Sequence, residues 1–189
     1  MMENIDPKID DRVRNHLLAM GHSTISNYIV PGLVSTLIGE DLTGSSKIRL
    51  FSNTRTQDMP ITPHSHRFDL ACMVLKGSVE NTIYHQWGDT SQSFTDDFAV
   101  SRLKYGGSPG DYTLAPESVH SFSRRVSTYV AGQWYFMNHE AIHSIKFSKG
   151  ALVLIFEGPN KTNESVILEP HVSGKTIRTF EVEDWMFQT

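Results

Sequence analysis

From Lys47 onward, short runs of β-branched and aromatic residues alternate with turn residues. That grammar constrains the chain more than any other feature, because it fits an all-β sandwich or barrel and little else. The runs fall at 48–52, 70–75, 79–87, 98–104, 111–114, 119–126, 128–137, 142–147, 151–156, 166–168 and 176–182. Turn signals separate them at Gly77-Ser78, Gly106-Gly107-Ser108-Pro109-Gly110, Lys149-Gly150 and Ser173-Gly174.

Ahead of Lys47 the spacing is different and predicts helices. Asp6-Pro7 is a start signal, an Asp cap followed by Pro at the first helical position. Ile9, Val13 and Leu17 then recur every four residues, and Gly21 is a stop. A second short helix is expected from Pro31, with Leu33, Val34, Leu37 and Ile38 on one face and Gly39 at its end. The expected organisation is a helical segment over 1–46 packed on a barrel over 47–189, the latter with a C-terminal extension. A chain of 189 residues can bury one sizeable core. Trp185, Met186 and Phe187 are too apolar to leave in water, so they are expected to pack back on the barrel or to fill a subunit interface. Exposed sheet edges also need cover. Together these make a homodimer the expected assembly.

Composition removes several function classes. Hydrophobic residues make up 39% and charged residues 20%, as in ordinary globular proteins. A net charge of -4 and the lack of a basic run argue against nucleic acid as a partner. No apolar stretch approaches a membrane span, and Met1-Met2-Glu3-Asn4-Ile5-Asp6 lacks the pattern of a signal peptide. The single Cys72, in an apolar run, reads as a buried structural thiol in a reducing compartment, so a cytoplasmic location is expected.

The chemistry is concentrated in Pro63-His64-Ser65-His66, just ahead of the strand Leu70-Ala71-Cys72-Met73-Val74-Leu75. In extended chain, residues i and i+2 share a face, so His64 and His66 can aim both imidazoles at one point. Imidazole suits zinc, iron, copper and nickel. A third ligand from a later strand would close a metal site. His143, in Ile142-His143-Ser144-Ile145, and His120, in Val119-His120-Ser121-Phe122, are the two candidates. Three neutral imidazoles leave a metal with open positions, which suits chemistry or ligand capture better than a closed structural site. The inward side chains of a barrel would line the pocket, with Met73, Leu75, Tyr84, Tyr112, Trp134 and Phe136 as candidates.

The His-x-His pair, a strand and the turn at Gly77 resemble the first motif of the cupin superfamily. Two stretches resemble its second motif. One is Gly110 to His120, with Pro116 between them; the other is Gly132 to His143, followed by Lys149-Gly150 and the strand from Ala151. The latter is similar to thiol dioxygenases such as cysteine dioxygenase. The resemblance covers roughly residues 60–160. It implies a cupin-type double-stranded β-helix (a jelly roll) around a divalent transition metal, with Fe(II) favoured and Zn or Ni as alternatives. It also implies a dioxygenase-like activity on a small organic or thiol substrate. Many cupins place a glutamate ligand three or four residues after the second histidine, where this chain has Leu70 and Ala71, with Asp69 one residue short. Thiol dioxygenases likewise lack that glutamate. A small-molecule-binding cupin without catalysis and a metal-free structural cupin are the alternatives.

Overall fold

Alternation sets the local structure. In Leu70–Lys76, Leu70, Cys72 and Val74 are buried while the residues between them are half-covered, which is the signature of a strand with one core face. The computed structural model of the protein describes residues 15–16, 19, 21, 23–86, 96–106, 112–172 and 174–177, and at 112, 114, 116 and 117 the backbone alone. Within these the chain forms β1 (Ser23–Ser26), β2 (Leu33–Glu40), β3 (Lys47–Asn53), β4 (Leu70–Lys76), β5 (Ser78–Gln86) and β6 (Asp96–Tyr105). It continues through β7 (Tyr112–Val130), β8 (Trp134–Met137), β9 (Ile142–Phe147), β10 (Leu152–Glu157), β11 (Glu164–Val172) and β12 (Lys175–Thr176).

The strands divide into two six-stranded sheets, in the orders β1-β2-β3-β10-β4-β8 and β12-β11-β6-β7-β5-β9. All the named pairings are antiparallel. From β7 to β11 each successive strand crosses to the opposite sheet. This is a jelly roll, and the all-β, cupin-type fold follows from it. Leu33, Phe51, Cys72, Val74, Val79, Phe147 and Val153 fill the space between the sheets. A smaller cluster of Phe98, Val100, Phe122 and Leu168, with Tyr84 and Ile142 against it, sits on the other face of β5 and β9.

The expected helix from Pro31 is not formed; those residues are β2. Leu33, Val34, Leu37 and Ile38 fit a helical face on paper, but pairing with β3 decides the matter. Leu33 and Ser35 are completely buried against that partner, and tertiary packing overrides a weak local preference. Gly39 sits at a register shift in the β2–β3 ladder rather than at a helix end. The first sheet therefore takes in Ser23–Ser26 and Leu33–Glu40, ahead of the expected boundary at 47. The expected first helix falls largely outside the described residues, of which Asn15, His16 and Ala19 are helical. Trp87 and the aromatic tail at 185–187 lie outside them as well. The separate strands expected at 111–114 and 119–126 are one long β7, which ends in the turn before β8.

Gly77 makes the β4–β5 turn with φ 72°, a conformation that glycine adopts freely. A Cβ there would lie 2.7 Å from Ser148 Oγ and 3.0 Å from the Ala151 Cα. Ser148 Oγ is itself held, accepting the Ser78 N–H at 2.9 Å. Gly77→Ala is expected to cost roughly 1–3 kcal/mol. A urea midpoint equal to that of the unsubstituted protein would show that the turn relaxes instead.

Candidate metal centre

The His pair lies on an extended segment that runs between β11 and β9 of the second sheet. His64 exchanges both backbone hydrogen bonds with His143 of β9, each at 2.9 Å. On its other side Ser65 N–H donates to the Val166 carbonyl at 2.8 Å and Leu168 N–H to the Pro63 carbonyl at 2.9 Å, both in β11. The segment thus joins the row β11-β6-β7-β5-β9 end to end. Main-chain bonds on both sides hold it straight, so His64 and His66 keep the period-two relation their spacing predicts.

Direct cross-strand pairing puts His64 and His143 on the same face. His66 completes the group: its Nε2 is 2.9 Å from His143 Nε2. One ring nitrogen from each of His64, His66 and His143 falls within 4.8 Å of the others. His64 Nδ1 lies 2.7 Å from the Thr62 carbonyl. A carbonyl only accepts, so that nitrogen carries the proton and Nε2 keeps its lone pair. His143 Nδ1 lies 2.7 Å from Asn81 Oδ1. Phe68 stacks on His66, with ring centres 5.7 Å apart.

Burial pushes all three imidazoles below the usual histidine range. The shift is modest at His64, where the Thr62 carbonyl opposes it. It is large at His66, where His64 and His143 add to the effect of burial. It is large again at His143, which is 3 % exposed and also feels His64. Neutral imidazole is the form that binds metals. The 2.9 Å spacing of two Nε2 atoms is close to the separation of neighbouring ligands on one ion, roughly 3 Å for bonds of about 2.1 Å. The donor set therefore fits a divalent transition ion.

The other histidine candidate is elsewhere. His120, on β7, bonds to Gln86 at 3.1 Å and Ser118 at 2.7 Å and takes no part in the cluster. The alternation in β4 and β8 turns Cys72 and Tyr135 into the core. It leaves Met73 and Trp134 on the outer face, where Trp134 stacks on Phe136 and Phe156. Tyr84 is on the face of β5 opposite Ile83, with its hydroxyl 3.3 Å from Ser144 Oγ. The side chain of Tyr112 lies outside the described residues. Leu70, at the place of the missing glutamate, is buried in the core. Asp69 is engaged by His139 N–H at 2.9 Å and by Lys161 at 3.3 Å. Burial pushes the Cys72 thiol up to about 12, which keeps it protonated and inert.

Sequence reasoning did not find Asn81, Thr62 or Phe68. Asn81 matters only because a ring 62 residues further along the chain lies against it, whereas Thr62 and Phe68 contact His64 and His66 two residues away and carry no residue type that marks the contact.

No protein-family model matches the sequence, and no curated protein matches it. Among solved structures the chain is similar to hydroxypropylphosphonic acid epoxidase from S. wedmorenis, at 12% identity over 72% of this chain and 54% of that chain, with TM-score 0.44. The chain thus spans about half the length of that enzyme. It is also similar to Streptomyces albus HEPD with 2-hydroxyethylphosphonate and Fe(II) bound, at 11% identity, 74% and 24% coverage and TM-score 0.45. A third similarity is to KdgF from Halomonas sp., at 12% identity, 74% and 90% coverage and TM-score 0.41.

Proposed function

We propose that the chain is a metal-dependent enzyme of cupin type, with one divalent transition ion on His64, His66 and His143. Fe(II) is the favoured metal, and a dioxygenase-type reaction on a small organic or thiol substrate is the favoured activity. One observation carries the reading: three imidazoles, neutral at neutral pH, with a nitrogen from each inside a 4.8 Å group. Three neutral protein ligands leave coordination positions for substrate and dioxygen, which a closed four-ligand site would not. With Fe(II) bound, the site would supply redox chemistry toward dioxygen.

The chain's own residues do the rest. The main-chain bonds around His64 hold its backbone in register with His143 before any ion arrives, and Phe68 stacks on His66. Register pairs His143 with Ile83 and Ile83 with Arg125, so Arg125 stands on the same sheet face, two strands away. A guanidinium there suits a substrate that carries a carboxylate or another anion.

A second reading is a metal-free structural barrel. The 2.9 Å contact between His66 and His143 favours it, because the rings can satisfy one another with no ion. Metal analysis after refolding with Fe(II), Zn(II) or Ni(II) separates the two. About one ion per chain is expected, with dioxygen uptake when the Fe(II) form meets small thiols, more with those bearing a carboxylate. Absence of stoichiometric metal under all three conditions would overturn the enzyme reading together with the site.

A further inference from the structure

Asn81 is 3 % exposed in β5, with its Oδ1 2.7 Å from His143 Nδ1 and its amide nitrogen 3.5 Å from Met137 Sδ. The two contacts orient the amide. A thioether sulfur accepts and never donates, so the NH2 group belongs on Met137 and the carbonyl on the imidazole. That carbonyl accepts in turn, so His143 Nδ1 carries the proton and Nε2 keeps its lone pair.

We infer that Asn81 is a positioning residue: it sets the tautomer of His143 and so makes Nε2 the ligand atom. The inference deepens the metal reading and rests on it for its purpose, but the tautomer belongs to the metal-free chain and can be read without an ion. The sheet explains the placement. Asn81 pairs with Ile145 and Ile83 with His143, so Asn81 is the diagonal neighbour of His143 on the same face of two adjacent strands.

A consequence follows for His66. With His143 Nε2 as acceptor at 2.9 Å, the hydrogen between the two rings belongs to His66 Nε2. Before His66 can ligate through Nε2, that proton must leave and another must be taken up at its Nδ1. The ring stays neutral, and no proton is gained or lost overall. His143 needs no such change, so its lone pair is free as soon as the contact with His66 opens.

Long-range proton–nitrogen correlation spectra of metal-free protein labelled with 15N-histidine test the assignment. The expected result is Nδ1–H at His143 and Nε2–H at His66. Asn81→Leu removes the acceptor at similar volume. It should leave His143 as a tautomer mixture and weaken Co(II) binding about 10- to 100-fold, the usual effect of losing such a partner. Asn81→Asp keeps an acceptor and should restore both the Nδ1–H signal and tight Co(II) binding. Nε2–H at His143 in the unsubstituted protein would overturn the inference. So would an Asn81→Leu protein with unchanged tautomer and unchanged Co(II) affinity. If Asn81→Leu fails to fold, the spectrum of the unsubstituted protein decides alone. If the unsubstituted protein binds no Co(II), the metal reading falls while the spectrum still decides the role of Asn81.

Discussion

Replacing His143 with alanine is expected to reduce bound Fe(II) or Co(II) from about one ion per chain to background. The loss of a direct ligand should exceed the roughly 10- to 100-fold effect of losing an outer partner. His64→Ala and His66→Ala should do the same, because each supplies one of the three converging nitrogens. His120→Ala should leave binding unchanged, since its partners are Gln86 and Ser118. The fold should survive all four changes, because the main core is apolar and contains none of these rings. His143→Ala carries the largest stability cost, about 1–3 kcal/mol, because it strands the buried Asn81 carbonyl without its donor. Metal content by atomic emission, with the urea midpoint measured beside it, checks the set. Stoichiometric metal on folded His143→Ala protein would remove the site as drawn, and loss of metal in His120→Ala alone would move its third ligand to β7.

Metal-free protein is expected to lose stability as the pH falls below about 6.5, the ordinary histidine value. The sign follows from the direction of the shifts. Burial holds the folded pKa values of His64, His66 and His143 below that of the unfolded chain. Between the two values the unfolded chain binds more protons, so acid favours unfolding, and above about 6.5 the penalty vanishes. Each histidine that stays neutral adds up to about 1.4 kcal/mol per pH unit to the slope. The effect should be greatest for His66 and His143, whose downward shifts are large, and smaller for His64. Urea midpoints at pH 7.5 and 5.5 measure it. Replacing His66 and His143 together with Asn should flatten the profile. A slope unaffected by that double change would assign the acid sensitivity to other groups.

Some of this was legible in the residues and some was not, for a common physical reason. The strand at 70–75 was readable because its apolar run is local and ends at the Lys76-Gly77 turn. The same locality made the turn at Gly77 and the shared face of His64 and His66 readable. β2 was not readable: Leu33, Val34, Leu37 and Ile38 satisfy two periods, and only the ladder with β3 selects the strand. Trp134 shows the limit of the pattern. Its run was visible, but the facing of an edge strand is set by what its neighbour Met73 does across the ladder.

The chain by itself determined the sheet class, the shared face of His64 and His66 and the glycine turn that follows them, because each depends on residues a few positions apart. Tertiary structure alone brings His143, and not His120, beside His64 and His66. His143 and His120 both sit on strands of suitable sequence, and the difference turns on which strand pairs with the His64 segment. It alone put Asn81 behind His143. Long-range register carries that information, and register is fixed by the burial of a whole sheet face rather than by any single residue on it.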